Sequence, residues 1–254
     1  MTEAPLSSTQ RFSDRVSDYA RYRPSYPDSL VDWLIDRYSV NNDSSIADIG
    51  SGTGVFTRLL IDKGLSVIAV EPNNEMRMES DRVLENSPLY NSVSGTAEKT
   101  TLADESINFL VAAQAFHWFD VSSARQEFRR ILSPGGVAAL IWNRRLTEST
   151  FQLAYEKLLA QLLGYNEVKH TRFTDKQISN FIGSSCEKSE FSYSQTLDLA
   201  SFKGRVFSSS YTPKPTDGGY AKFVDNLEDL FVAYSKNGLV TFDYSSTVFS
   251  GCLE

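Results

Sequence analysis

The stretch Ser45-Ile46-Ala47-Asp48-Ile49-Gly50-Ser51-Gly52-Thr53-Gly54, followed by Val55 to Gly64 (VFTRLLIDKG), limits the possible folds more than any other part of the chain. A short apolar run that enters a glycine-rich turn and leaves with helical periodicity reads as strand, tight turn, helix. Glycine lacks a Cβ, so such a turn reaches positive φ and lets a ligand rest against main-chain amides near a helix N-terminus. The rhythm then repeats. Leu65 to Pro72 reads as a second strand ending at an acid, Asn73 to Leu84 as a helix, Tyr90 to Gly95 as a third strand and Ser106 to Gln114 as a near-continuous apolar strand. Asp120 to Leu132 reads as a helix capped by Asp120 and stopped by Ser133-Pro134-Gly135-Gly136, and Val137 to Asn143 as another buried strand. Alternation of this kind predicts an α/β fold, a doubly wound parallel sheet with helices on both faces.

On either side of this core the pattern differs. Pro27 to Tyr38 is an amphipathic helix with proline at its first turn. Beyond Arg145, Phe151 to Gly164 and Thr174 to Gly183 read as two helices with no strand between them, so 146–185 is expected to be a helical insertion or cap. Glu187 to Leu199, a helical stretch at Ala200 to Ser209, a helix over Tyr220 to Tyr234 and a last strand at Leu239 to Gly251 complete the chain. With 254 residues and 41% apolar content, one domain with its own core is expected.

Charge and composition exclude several classes of function. Thirty-two acids against twenty-five bases give a net charge of -7, which repels phosphate backbones, so no nucleic-acid partner is expected. The longest apolar stretches, Phe109 to Ala113 and Val137 to Trp142, fall far short of the roughly 20 residues that cross a bilayer, so no membrane span is expected. The N-terminus resembles neither a secretory signal nor a transit peptide, which points to the cytoplasm. Cys186 and Cys252 have no metal-ligand spacing, and His117 and His170 are too few for a cluster, so no metal site is expected.

The residues suited to chemistry gather at one end of the expected sheet. A dinucleotide fingerprint starting at Gly50 would require glycine at position 55, where Val55 stands; the spacing is G-x-G-x-G, which argues against a nicotinamide-dependent oxidoreductase. Glu71 lies 21 residues past Gly50, where a strand-end acid can accept hydrogen bonds from a ribose diol. His117, beside Trp118, follows the fourth strand and suits either a general base or a loop-orienting group. Tyr19, Arg21, Tyr22 and Arg23 place phenols and cations ahead of the first strand, and Arg23 with Tyr19 could bind a carboxylate. Arg144 and Arg145, after the fifth strand, could add to an anion site. Arg125, Arg129 and Arg130 read as a solvated helix face, and His170 as a surface residue.

Taken together, ADIGSGTG, the strand-end Glu71, GTAEKTTLADESINFLVAAQAFHWFD and RILSPGG resemble the Rossmann-like, class I S-adenosylmethionine-dependent methyltransferases over residues 12 to 145. AAQAFHWFD and YARYRPSYP are similar to the methyltransferase type 11 kind, including small-molecule methyltransferases of the trans-aconitate and embryo-abundant-protein groups. The tail from SSSYTPKP to the last strand is similar to the same subgroup. The resemblance implies a mostly parallel seven-stranded sheet with an antiparallel last strand. It also implies an N-terminal lid over 1–27, a cofactor-binding core over 28–145, the helical insertion over 146–185, and C-terminal strands and helices over 186–254 that complete the sheet. S-adenosylmethionine is the implied cofactor. Asp48, Gly50, Ser51, Gly52, Gly54 and Gln114 would surround its methionine part, Glu71 its ribose, and Pro72, Thr96 and Ala97 its adenine, with Tyr19 and Arg23 closing from the lid. Thr96 departs from the acid that many relatives place there, so its contact to the adenine amine would be a single acceptor or water-mediated. The implied reaction is in-line methyl transfer to a small-molecule acceptor, such as a carboxylic acid, by a monomer or homodimer. The alternatives are a non-catalytic S-adenosylmethionine-binding protein and, from another enzyme class, the nicotinamide-dependent oxidoreductase.

Overall fold

A computed structural model describes residues 21–163, 173–209 and 211–253; Tyr19 and His170 lie outside them. The first described helix, α1 (Asp28–Tyr38), follows Pro27 and buries Leu30, Val31 and Leu34, the stripe expected from the sequence. Strand β1 (Ile46–Ile49) is buried along its whole length and passes through the glycine loop into α2 (Val55–Asp62). Then come β2 (Val67–Val70), α3 (Asn74–Leu84), β3 (Tyr90–Val93), β4 (Ile107–Ala113), α4 (Val121–Ile131) and β5 (Leu132–Arg145). Two helices, α5 (Thr150–Leu163) and α6 (Asp175–Ile182), precede β6 (Glu187–Leu197), and α7 (Leu199–Phe207) and α8 (Tyr220–Tyr234) precede β7 (Val240–Cys252).

The seven strands form one sheet in the order β3-β2-β1-β4-β5-β7-β6. Strands β1 to β5 pair in parallel, and β7 runs antiparallel to both β5 and β6. The order reverses between β1 and β4, and in an open α/β sheet the crevice for a ligand opens at the carboxyl ends of the strands flanking that point.

Strand alternation sends side chains to two layers. On one face Ile46, Val67, Phe109, Val111 and Ile141 pack against Leu30, Leu34, Phe56 and Leu60 of α1 and α2. On the other, Ala47, Ile49, Leu110 and Leu140 meet Phe116, Phe128 of α4, and Ile178, Phe181 and Ile182 of α6. The two helices after β5 therefore part company. α6 joins a sheet-covering layer, whereas α5 packs through Phe151, Tyr155 and Leu159 against α7, α8 and the far end of the antiparallel β6–β7 pair. That antiparallel pair continues to Leu197↔Val240, beyond the last β5 pair at Arg145↔Tyr244, so it forms a shelf beneath α5, α7 and α8.

One local expectation changes. Ser133 to Gly136 does not separate helix from strand, because α4 passes directly into β5 at Leu132, which pairs with Ile107 across a register shift. The left-handed Gly135 at φ +79° takes up the irregularity, so a sequence that stops a helix also starts a bulged strand.

Candidate functional site

The glycine loop lies at the switch point, and its glycines answer to different constraints. Gly50, at φ +71°, sits where a Cβ would come within 2.7 Å of the Ala115 Cβ, just past β4. Gly54 at φ +80° begins α2 where a Cβ would strike the Ser80 hydroxyl and the Leu84 side chain of α3. Gly52, at φ +57°, has only the Met76 sulfur near, at 3.7 Å. Packing therefore requires two of the glycines to be bare, and the third leaves the loop open on its outer side.

Two acids flank this opening. Asp48, at the end of β1, is 1% exposed; its Oδ2 accepts from the Thr57 hydroxyl at 2.6 Å, and its Oδ1 has no partner. Burial pushes its pKa up, the Thr57 bond opposes that and the neighbouring Glu71 charge reinforces it, which brings it to about 7. Glu71, at the end of β2, accepts from the Gly52 amide at 2.9 Å and from the Asn73 amide at 2.8 Å, so its carboxylate spans loop and strand. Burial raises its pKa as well, partly offset by those two amides. Asn73 in turn caps α3 by accepting from the Met76 amide at 3.0 Å.

The hydroxyls of Ser51 and Thr53 are also buried without a partner. Three orphaned polar oxygens around a bare loop are unusual, because buried polar atoms are nearly always satisfied. Grouped beside Glu71, the Asp48 carboxyl and the two hydroxyls can accept from a ligand that brings donors or positive charge.

The rest of the crevice comes from loops at the same edge. Pro72 follows Glu71 directly. Thr96 and Lys99 exchange backbone hydrogen bonds in a tight turn that buries Ala97. This turn is braced by Glu127, which accepts from the Thr100 amide at 2.7 Å and the Thr100 hydroxyl at 2.6 Å. Gln114, at φ +54°, donates from its side-chain amide to the Asn143 carbonyl, 2.9 Å away, which leaves its second N–H and its oxygen for other partners. His117 lies in a single 3-10 turn, Phe116–Trp118, with its ring 4.9 Å from that of Trp118. Arg23 donates to the Ser208 carbonyl at 3.0 Å, which ties the segment before α1 to the end of α7.

Several residues fall elsewhere than their sequence neighbours suggested. Arg144 and Arg145 point to opposite faces of β5: Arg144 pairs with Asp175 at 2.8 Å, and Arg145 with Glu156, its Nε 2.7 Å from Oε1. Arg130 is not a solvated bystander, since it binds Glu127 and the Leu102 carbonyl and so holds the loop that carries Thr96 and Ala97. Residues the sequence did not single out include Thr53, the buried Asn143 and the buried Arg205. Asn143 had a faint signal as a polar residue closing an apolar strand; Arg205 had none. Among the described residues, no group of three or more His, Cys, Asp or Glu could hold a metal ion, and no helix is long and apolar enough to cross a membrane.

A sheet of this order, with a glycine loop after β1 and an acid closing β2, defines a Rossmann-like methyltransferase architecture. Residues 47–140 match the model of the methyltransferase domain family, so this stretch of the chain is similar to that family. It is 37% identical over 164 residues to an uncharacterised methyltransferase of Mycobacterium tuberculosis, a match covering 65% of this chain and 63% of that protein. It is 37% identical over 135 residues to an uncharacterised methyltransferase of Schizosaccharomyces pombe, covering 53% of each. The chain thus spans less than two thirds of the length of these relatives. Among solved structures it is similar to a candidate type II methyltransferase of Anaeromyxobacter dehalogenans, with TM-score 0.68, 21% identity, and coverage of 91% of this chain and 98% of the other. It is also similar to phosphoethanolamine N-methyltransferase 2 of Haemonchus contortus, solved with phosphomonomethylethanolamine and S-adenosylhomocysteine, with TM-score 0.57, 14% identity, and coverage of 97% and 60%. At these identities the structural likeness concerns the fold.

Proposed function

We propose that this chain transfers a methyl group from S-adenosylmethionine to a small-molecule acceptor bearing a carboxylic acid, by in-line displacement. The observation that supports this most is the set of partnerless buried oxygens on Asp48, Ser51 and Thr53 around a loop kept bare by Gly50, Gly52 and Gly54. The cofactor would bring a sulfonium-activated methyl group, and the protein's part is then binding and positioning. Asp48, Ser51 and the loop amides would hold the methionine end, with the Gln114 oxygen facing its ammonium. Glu71 would take the ribose hydroxyls, sharing the carboxylate that now accepts from Gly52. Pro72, Thr96 and Ala97 would enclose the adenine, and Tyr19 and Arg23 would close the site from the N-terminal side. A carboxylate acceptor is already deprotonated, so it needs cations rather than a base, and His117 then orients its loop; with a hydroxyl acceptor the same imidazole would take the proton. On this reading the protein acts in the cytoplasm as a monomer or homodimer, with no nucleic-acid or membrane partner; the net charge of -7 supports the absence of nucleic acid.

Calorimetric titration with S-adenosylmethionine on the wild type, Glu71→Gln and Glu71→Ala tests the site, followed by a screen of carboxylic acids and phenols for S-adenosylhomocysteine release. Removing the carboxylate should weaken binding by about 1 to 3 kcal/mol, roughly 5- to 150-fold. Unchanged affinity in a folded Glu71→Ala protein removes the ribose assignment, and no binding by the wild type removes the proposal.

A further inference from the structure

Arg205 lies on the inner face of α7 with Phe202 and Val206 and is 5% exposed. A guanidinium taken out of water costs several kcal/mol unless an opposite charge and good hydrogen bonds compensate. Arg205 has neither in full. Its Nε donates to the Tyr244 hydroxyl at 3.2 Å and its Nη1 to the Ser209 hydroxyl at 3.3 Å, long bonds to neutral oxygens. Among the described residues no carboxylate forms an ion pair with it, and these two are the hydrogen bonds its guanidinium makes. Arg145, 9% exposed in the same cluster, makes the contrast: Glu156 neutralises it, and its guanidinium lies 5.0 Å from the Tyr155 ring centre. Glu156 is thus already engaged. The surroundings respond to the surplus charge, since burial pushes the Tyr211 phenol up, yet Arg145 and Arg205 outweigh it and leave it below the usual tyrosine range.

The position is continuous with the crevice. Asn143 and Arg145 project from the same face of β5, Asn143 receives the Gln114 amide from the end of β4, and Arg145 pairs across the sheet with Tyr244, which accepts from Arg205. The segment before α1 lies over this spot. Gly204 is bare where the Tyr22 ring packs, and the Gln195 side chain donates to the Tyr22 carbonyl at 3.1 Å.

We infer that Arg205 anchors an oxyanion group of the methyl acceptor, a carboxylate or a phosphate, and so selects acidic acceptors; this rests on the methyl-transfer reading above. A planar fork of donors suits either oxyanion, and the tyrosines around it suit an acceptor with a flat apolar body.

The test uses the full chain saturated with S-adenosylhomocysteine, with benzoate, phenyl phosphate and benzamide as probes, on the wild type, Arg205→Met and Arg205→Lys. Calorimetry and thermal shift should show benzoate or phenyl phosphate binding to the wild type and benzamide not binding; the tighter of the two anions names the oxyanion. Arg205→Met should lose at least about tenfold in anion affinity, with S-adenosylhomocysteine affinity unchanged, and Arg205→Lys should keep part of it. The ligand-free melting temperature of Arg205→Met should equal or exceed that of the wild type, because an uncompensated buried charge has been replaced by an apolar chain. If Arg205→Met does not fold, Arg205→Lys decides alone, since loss of the fork must weaken the anion. Equal anion binding by the variants and the wild type overturns the inference. So does equal binding of benzamide and benzoate, or no anion binding by a wild type that does bind S-adenosylhomocysteine. A wild type that fails to bind S-adenosylhomocysteine refutes the methyl-transfer reading instead.

Discussion

Asp48 offers the most direct physical test of the site without any ligand. Its carboxyl is buried, with one oxygen on Thr57 and the other unpartnered, and burial above all holds its pKa at about 7 instead of 3.8. Above the ordinary value the unfolded chain has released this proton while the folded chain retains it. The folded state therefore binds more protons, and stability falls as pH rises through that interval. The slope is about 1.4 kcal/mol per pH unit, so the loss approaches about 4 kcal/mol by neutrality and grows no further above the folded pKa. Asp48→Asn keeps an oxygen for the Thr57 hydroxyl and cannot ionise. Urea unfolding of both proteins between about pH 5 and pH 8 should show the variant gaining on the wild type by roughly 1.4 kcal/mol per unit and levelling off near pH 7. Other carboxylates titrate in both proteins and largely drop out of the difference; Glu127, held near 2, lies below the window. Parallel curves across the window would refute the reasoning. A cation seated against Asp48 should also drive its proton off, so binding of S-adenosylmethionine near pH 6.5 should release up to about one proton in the wild type and none from this site in Asp48→Asn.

The glycine loop and the turn opposite it yield two further expectations. Gly50→Ala forces a left-handed alanine against the Ala115 Cβ, 2.7 Å away, and should cost about 2 to 5 kcal/mol in unfolding free energy. Gly52→Ala, with only the Met76 sulfur at 3.7 Å, should cost about 1 to 2 kcal/mol and register mainly as weaker S-adenosylmethionine binding; equal destabilisation by both would contradict their different roles. Glu127→Ala frees the Thr100 amide and hydroxyl and should lower stability at neutral pH by about 1 to 3 kcal/mol in urea unfolding. Hydrogen bonding to Arg130, above all, depresses the Glu127 pKa to about 2, so its stabilisation is present above the ordinary carboxylate value of 4.5 and disappears as pH falls toward 2. The variant should therefore show a flatter acid limb.

The core of the fold was legible because its signals are local. The short apolar runs of β1 and β4 and the helical stripe of α1 are each written within about ten residues. What a local pattern cannot specify is which of two surfaces receives it. The stripe Ile178, Phe181 and Ile182 of α6 is as apolar as that of α5, yet one covers the sheet and the other packs on α7 and α8. Arg144 and Arg145 look like a pair in the sequence, but strand geometry sends them to opposite faces and different acids. Glu71 could be placed by its spacing from Gly50 because a βαβ unit fixes that distance. Arg205 could not, since its environment comes from Tyr244, 39 residues away on another element.

The same distinction bears on how the halves of the site are joined. Transfer between two bound molecules depends on their relative placement, so whatever holds the donor side must be rigidly connected to whatever holds the acceptor side. Asn143 supplies such a connection. Its carbonyl takes the Gln114 amide from the end of β4, its side-chain nitrogen donates to the Ser25 carbonyl at 2.7 Å, and its side-chain oxygen accepts from the Ser246 hydroxyl of β7. A buried amide satisfied at all of these ends cannot shift toward one neighbour without leaving a polar group unpaired, which costs about 1 to 3 kcal/mol. Two residues along β5, Arg145 begins the cluster that includes Arg205. Gln114 at the end of β4 and the Arg205 that would receive an acid are therefore linked through Asn143 and Arg145, two residues apart on β5, and the segment from Tyr22 to Ser25 is fastened to the same region: to Asn143 at Ser25, and to α7 through Tyr22 and Arg23.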